Sequence, residues 1–175
     1  VYGLITPRVL SVIDELSTRY KLLVFGDLQC SSQIGNIDKF KNFHLISPTE
    51  REARIALSAV DEGIEWVATK LMEKTGTTNL IMKLGSEGFI AYGMEKDGFM
   101  NRQHFPALSH NPVDVAGAGD SLLAAMAVGL SSGASLMQAS ALGNIMAAEA
   151  VQTLGNIPVT QQKLKNCILD LKDNL

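Results

Sequence analysis

A glycine-rich segment directly ahead of an apolar stretch is the part of the sequence best suited to chemistry. Asp114–Asp120 reads Asp-Val-Ala-Gly-Ala-Gly-Asp, and the residues from Ser121 onward are rich in Ala and Leu. The pattern predicts a loop that leads into a helix. Gly117 and Gly119 let the backbone approach a ligand closely, and the first amides of a helix have no intrahelical partner. The segment therefore has the layout of an anion-binding loop.

The chemistry that suits such a loop is the transfer of a phosphoryl group. Negative charge develops on the phosphoryl oxygens, and the amides of Gly117, Ala118 and Gly119 would stabilise that charge most in the transition state. Asp120 follows in the same turn and is placed to accept a proton from an attacking hydroxyl. A plainer alternative is that Asp120 only caps the helix or favours its dipole, while the glycines only make a turn.

The elements around this loop are expected to alternate between helices and short apolar strands. Helical periodicity predicts helices from Thr6 to Tyr20, from Thr49 onward, over Ile64–Lys74, from Gly119 through the Ala- and Leu-rich Ser121–Leu130, over Leu136–Leu154 and after Thr160. Short apolar runs predict strands at Leu22–Phe25, His44–Ile46, Asn79–Leu84, Phe89–Tyr92 and near Gln103–Phe105.

The order of these elements indicates the fold class. Short buried strands that alternate with helices are typical of a parallel sheet covered on both faces. The last strands follow turns around Gly85–Gly88 and Lys96–Gly98, which indicates an antiparallel edge. The chain has 175 residues and no linker rich in Pro, Gly or Ser, so we expect one α/β domain over residues 1–175.

Composition and charge argue against several classes of function. The net charge is −3 and no block of Lys or Arg occurs, so we expect no binding to nucleic acid or to an anionic membrane. Apolar stretches such as Leu122–Leu130 are far shorter than the roughly 20 residues that span a bilayer, and a cytoplasmic protein is expected. Cys30 and Cys167 are too few for a disulfide scaffold and have no metal-ligand spacing with the histidines.

Four segments, in order, resemble the ribokinase-like (PfkB family) carbohydrate kinases. Asp114–Asp120 resembles the signature D-T-x-G-A-G-D, with Val115 and Ala116 where Thr-Thr or Thr-Asn is more usual. The other segments are Pro48–Glu52, which resembles P-N-x-x-E, Lys83–Gly88, which resembles T-x-G-x-x-G, and Asn144–Gly155, which resembles the helix that closes over adenine. The Gln29–Ser32 loop and Thr49 resemble some heptose- and fructose-type members.

The resemblance implies a fold and an activity. The fold would be a three-layer α/β/α ribokinase-like arrangement with a mostly parallel sheet and an antiparallel edge. The activity would be transfer of the γ-phosphoryl group of ATP to a hydroxyl of a sugar or sugar phosphate. Asp120 would be the catalytic base, and the amides of Gly117, Ala118 and Gly119 would form the anion hole. Mg²⁺ would accompany the ATP, and a monovalent cation such as K⁺ would lie near the loop.

The resemblance also implies roles for residues outside the loop. Asp114 would help to hold the monovalent cation, and its oxygen atoms suit a hard cation. Glu52 would act through water on the Mg²⁺ bound to the nucleotide phosphates. Gly85, Gly88 and Asn144 would line the nucleotide.

Several of these residues have simpler interpretations. Thr49 stands where the family usually has Asn, and Thr-x-x-Glu at a helix start is also a capping box that would employ Glu52. Asp114 follows Asn111-Pro112 and could be a turn former. Lys83 replaces the usual Thr and could bind phosphate or point to solvent. His104 and His110 are expected to be polar loop or edge residues rather than acids or ligands.

The sugar-binding features of the family have no counterpart in this sequence. The Gly-Gly sugar motif, the acidic residues for the sugar hydroxyls and the lid are absent, and Val1-Tyr2-Gly3 resembles the middle of such a protein. We therefore expect a C-terminal nucleotide-binding portion whose N-terminal half and lid are missing. Its exposed sheet edge would favour a homodimer or pairing with the missing half.

Two other functions remain open at this point. One is a non-catalytic nucleotide- or metabolite-binding remnant, or one half of a split kinase. The other is a lyase of the NAD(P)H-hydrate dehydratase kind, which shares the fold and a Gly-x-Gly-Asp loop. The acceptor and the oligomeric state do not follow from the sequence.

Overall fold

The structure is a computed structural model that describes residues 4–27, 37–95, 98–109, 111–155 and 157–173. Four of the sequence predictions lie outside the described residues, namely those on Val1–Gly3, the Gln29–Ser32 loop with Cys30, the Lys96-Asp97 turn and His110. The chain divides into two compact units, Val1–Met82 with Tyr92–Met100 and Lys83–Ala91 with Asn101–Leu175.

Five short strands form one mixed sheet in the order β1-β2-β3-β4-β5. They are β1 (Phe25–Gly26), β2 (Leu45–Ile46), β3 (Asn79–Lys83), β4 (Phe89–Met94) and β5 (Met100–Phe105). The first three strands are parallel, since Phe25 pairs with Leu45 and Leu45 pairs with Asn79. This arrangement confirms the predicted α/β class.

The predicted antiparallel edge is also present. Leu84 N donates to Gly88 O at 2.8 Å, and Met94 N donates to Thr78 O at 2.9 Å, so β4 turns back along β3. Glu95 N donates to Phe99 O at 2.8 Å at the turn from β4 into β5. Hydrogen bonds that converge on opposite ends of two strands define an antiparallel ladder.

Six helices accompany the sheet in the described residues. They are α1 (Pro7–Tyr20), α2 (Glu50–Leu57), α3 (Ile64–Thr75), α4 (Ala118–Ser131), α5 (Leu136–Ala150) and α6 (Gln161–Asp173). Side chains cap several of them as predicted: Thr6 Oγ1 accepts from Val9 N at 3.2 Å, and Thr160 Oγ1 accepts from Lys163 N at 3.2 Å. None of the helices in the described residues has the length and apolar character needed to cross a membrane.

The first strand differs from its prediction. We predicted a strand buried on both faces at Leu22–Phe25, but β1 begins only at Phe25, and Leu22 and Leu23 are 56% and 43% exposed. The reason is that β1 lies at the edge of the described sheet and pairs only with β2. An apolar run at such an edge lacks the second neighbour that would bury it.

The fifth helix is shorter than predicted. We predicted Leu136–Leu154, whereas α5 ends at Ala150. Another helical turn would need the Val151 carbonyl to accept from Gly155 N. Instead this carbonyl accepts from Val113 N at 2.8 Å and Asp114 N at 3.2 Å, and Gly155 N donates to the Asp114 carboxylate. Hydrogen bonds to a distant loop therefore replace the last helical bond.

In the second unit, α4 and α5 pack so closely that a side chain would overlap its neighbours at Gly143 and would be tight at Gly129. A Cβ at Gly143 would lie 2.7 Å from Leu122 Cδ1 and 2.9 Å from Met126 Cγ. A Cβ at Gly129 would lie 3.2 Å from Ala139 Cβ. Because interiors are close-packed, this contact fixes α4 against α5. It thereby holds the start of α4, where the glycine-rich loop ends.

Candidate functional site

The glycine-rich loop ends in a helix start that exposes backbone donors. Gly117 is the N-cap of α4 with φ 79°, a left-handed conformation that glycine adopts without strain. Ser121 N donates to Gly117 O at 2.9 Å, and Ala118 N makes a long bond of 3.4 Å to Val115 O. For the amides of Gly117 and Gly119, the described part of the chain contains no recorded acceptor. These N–H groups can therefore donate to an anion.

Asp120 is the third residue of α4 and is exposed to solvent. Within the described residues, its carboxylate has no recorded hydrogen bond to the first amides of the helix. Its place in the first turn still favours the helix dipole. A carboxylate that is exposed beside the amide donors can reach a hydroxyl of a bound molecule, as a general base must.

Asp114 connects the loop to the turn that follows α5. Its Oδ1 accepts from Ala116 N at 2.9 Å, which is the local turn that the sequence suggested. Its Oδ2 accepts from Gly155 N at 3.1 Å. No local pattern in the sequence predicted this contact. A carboxylate offers about four acceptor positions, so these two bonds leave room for a cation. The oxygen atoms thus fit the predicted monovalent cation site.

The same two hydrogen bonds act on the charge of Asp114. The Ala116 amide, and after it the Gly155 amide, hold the pKa of the Asp114 carboxyl below its ordinary value. A lowered pKa in the folded protein means that this group stabilises the fold above the pKa of the unfolded chain. That stabilisation is lost as the pH falls through the folded value.

We expect the substitution Asp114→Asn to show this dependence. Asn can still accept from one amide but not from both, so the variant should unfold more easily than wild type at pH 5 to 8. The difference should shrink as the pH falls below about 4, where the unfolded carboxyl becomes protonated. Urea unfolding midpoints of both proteins between pH 7 and pH 3 measure it. A difference that stays constant over this range would contradict the assignment.

The two glycines of the Gly85–Gly88 turn have different surroundings. A short 3-10 helix covers Gly85–Glu87, and Gly85 and Gly88 have φ of 65° and 89°. A Cβ at Gly88 would lie 2.1 Å from Phe105 O, so this glycine is packed against the end of β5. A Cβ at Gly85 would meet nothing within 4 Å. The open side of the turn is therefore at Gly85, where a ligand has room.

Asn144 is buried and takes part in the same region of the second unit. It is 7% exposed, and its Nδ2 donates to Pro106 O at 2.9 Å. Pro106 also lies next to Gly88, since a Cβ there would be 2.8 Å from the Pro106 carbonyl carbon. The structure thus brings Gly88 and Asn144 onto one segment. Asn144 is thus engaged through one of its two amide N–H groups.

Glu52 belongs to the first unit and forms the capping box that the sequence suggested. Thr49 Oγ1 accepts from Glu52 N at 3.2 Å, and Glu52 Oε2 accepts from Thr49 N at 2.7 Å. The side chain is largely buried, with 6% exposure. One carboxylate oxygen is thus engaged in the cap, and the predicted role of Glu52 toward Mg²⁺ stays a prediction.

Sequence comparison identifies a family that covers most of the chain. The model of the "pfkB family carbohydrate kinase" matches residues 31–163. A curated relative, the bifunctional protein HldE of Trichlorobacter lovleyi, is 28% identical over 165 residues, which cover 93% of this chain and 32% of that protein. The chain therefore spans about a third of the length of this relative.

Comparison with solved structures agrees with the family match. The ribokinase of Thermotoga maritima superposes with a TM-score of 0.73 at 26% identity, over 89% of this chain and 52% of that one. The ribokinase of Arabidopsis thaliana, in a complex with ribose and ATP, has a TM-score of 0.76 at 19% identity, over 91% of this chain and 52% of that one. The chain spans about half of each of these structures.

Proposed function

Because this chain belongs to the pfkB family of carbohydrate kinases, we propose that it carries the nucleotide site and the catalytic base for phosphoryl transfer from ATP. The acceptor in this proposal is a hydroxyl of a sugar or sugar phosphate. The observation that carries it is the start of α4, where the amides of Gly117 and Gly119 are available as donors next to the exposed Asp120. The Arabidopsis ribokinase in complex with ribose and ATP supports the choice of ligands by its fold.

The proposed reaction is an in-line displacement at the γ-phosphorus of ATP. Asp120 accepts the proton of the acceptor hydroxyl as its oxygen bonds to phosphorus, and the bond to the bridging oxygen breaks to release ADP. The amides of Gly117, Ala118 and Gly119 donate to the charge that develops on the phosphoryl oxygens. The Ala118 amide would exchange its long internal bond to Val115 for this interaction.

Cations would support the binding of the nucleotide. Mg²⁺ bound to the phosphates would neutralise part of their charge, and Glu52 would act on it through water. Asp114 would contribute oxygen atoms to a monovalent cation such as K⁺ while it connects the loop to Gly155. Gly85, Gly88 and Asn144 would line the nucleotide.

An apolar face on α1 supports a further part of the proposal, which concerns partners. Val9, Val12 and Leu16 recur at helical spacing and are 38%, 47% and 39% exposed. Apolar side chains that are exposed together mark surfaces that pack against another protein segment. We propose that this face packs against another part of a longer polypeptide or against a second copy of the chain.

Calorimetric titration with Mg-ATP tests the nucleotide site. We expect the chain to bind Mg-ATP with a Kd of about 1 mM or tighter, since enzymes typically have KM values up to about 1 mM. The substitution Glu52→Gln keeps an acceptor for Thr49 N but removes the charge, so it should weaken Mg-ATP binding by about 5-fold. ATP without Mg²⁺ should bind both proteins about equally.

A matched variant separates the cap from the cation role of Glu52. Thr49→Ala removes one bond of the capping box and should destabilise the fold by about 1 kcal/mol without changing the effect of Mg²⁺. The absence of binding at millimolar Mg-ATP would rule out a self-sufficient nucleotide site. If Mg²⁺ increases the affinity for ATP equally in Glu52→Gln and wild type, only the role of Glu52 is ruled out.

A further inference from the structure

We propose that His104 is a positioning residue for the nucleotide, because its side chain holds the Gly85–Gly88 turn in place. This inference rests on the proposed function, which places that turn at the nucleotide. The sequence indicated only that His104 is a polar edge residue, and its position on β5 agrees with that prediction. The structure adds a contact from its ring to the turn.

The contact is a hydrogen bond to the backbone. His104 Nε2 lies 2.9 Å from the Glu87 carbonyl oxygen. Because a carbonyl oxygen only accepts, Nε2 must carry the proton, so a neutral His104 is the Nε2-H tautomer. The bond joins β5 to the last residue of the 3-10 turn and adds to the bond from Gly88 N to Gly85 O at 3.1 Å.

The contact from His104 adds a side-chain restraint to a turn that is otherwise held by backbone hydrogen bonds and has one open side. Gly88 is packed against Phe105, but Gly85 faces open space, and both residues have positive φ. The bond from His104 is a side-chain hydrogen bond to the backbone of this turn. Holding a loop in its bound conformation improves affinity because less freedom is lost on binding.

Two substitutions of His104 separate the hydrogen bond from the rest of the side chain. His104→Val keeps a residue that favours strands but cannot donate, whereas His104→Gln keeps a side-chain N–H of similar reach. Gln103→Ala is the matched control, since Gln103 is the exposed neighbour on the same strand. Titration with Mg-ATP gives the Kd of each protein, and thermal unfolding gives its Tm.

We expect His104→Val to raise the Kd for Mg-ATP by about 5-fold, as the loss of one hydrogen bond would. His104→Gln should restore most of the affinity, and Gln103→Ala should bind like wild type. A lower Tm of His104→Val with unchanged Kd would show a purely structural role and overturn the inference. The inference is also overturned if His104→Gln binds Mg-ATP as weakly as His104→Val.

The test also distinguishes this inference from the function on which it rests. If wild type does not bind Mg-ATP, the nucleotide site itself is wrong and the role of His104 falls with it. If wild type binds and His104→Val binds equally well, the site stands and only the role of His104 is wrong. If His104→Val does not fold, the comparison of His104→Gln with wild type decides. A Kd for Mg-ATP that is about 5-fold or more higher in His104→Gln than in wild type then overturns the inference.

Discussion

If the proposed function is right, replacement of Asp120 by Asn is expected to lower kcat by a factor of about 10² to 10⁴, the usual contribution of a general base. Asn has nearly the same shape as Asp but cannot accept a proton. Asp120 is exposed on the first turn of α4, so the Tm should change little. The Kd for Mg-ATP should stay within a few-fold of wild type, because backbone amides hold the phosphates in the proposal. Steady-state kinetics with a sugar or sugar-phosphate acceptor measures the effect.

Asp61→Asn is a suitable control for the charge change. Asp61 is exposed in the turn before α3 and belongs to the first unit. The substitution Asp61→Asn removes one negative charge, as Asp120→Asn does, and we expect it to leave kcat unchanged. If Asp120→Asn turns over within a few-fold of wild type, Asp120 favours only the helix dipole and the base must be sought elsewhere. A loss of activity that coincides with loss of nucleotide binding would also contradict the assignment.

The parts of this structure that depend on neighbouring residues could be predicted from the sequence. The cap of α1 at Thr6, the capping box of Thr49 and Glu52 and the cap of α6 at Thr160 each involve residues three positions apart. Such contacts form wherever the helix forms, so the residue types alone indicate them. The place of Gly117 directly before a helix could be predicted for the same reason. Its left-handed conformation could not, since Gly63, which directly precedes α3, is extended.

The parts that depend on distant residues could not be predicted. The end of α5 is set by the bonds from Val113 and Asp114 to the Val151 carbonyl, and residues almost 40 positions apart leave no local pattern. The bond from His104 to Glu87 depends on the register in which β4 and β5 pair. The sequence predicts an antiparallel edge there but not this register. Leu22 and Leu23, which precede β1, were predicted as part of a buried strand because an apolar run does not reveal where the strand begins or whether it is central or at an edge.

Gly88 shows how a glycine of a sequence motif can be explained by packing, and Gly88→Ala should be the most destabilising single substitution proposed. Its φ of 89° and ψ of −126° are accessible almost only to glycine, and a Cβ would lie 2.1 Å from Phe105 O and 2.7 Å from Ala107 N. Backbone atoms cannot move aside as a flexible side chain can. Backbone strain and overpacking together should cost about 3 to 5 kcal/mol.

Gly133→Ala separates strain from packing in this prediction. Gly133 also has φ 89°, but a Cβ there meets nothing within 4 Å, so the substitution should cost only about 1 kcal/mol. Urea unfolding gives the free energy of unfolding of both variants. Hydrogen exchange at Leu84 N, which donates to Gly88 O, reports the local loss of stability at the turn. Equal losses in the two variants would mean that the end of β5 yields to the added atom. The turn would then be adaptable, and its role at the nucleotide would depend on contacts such as that of His104 rather than on the packing of Gly88.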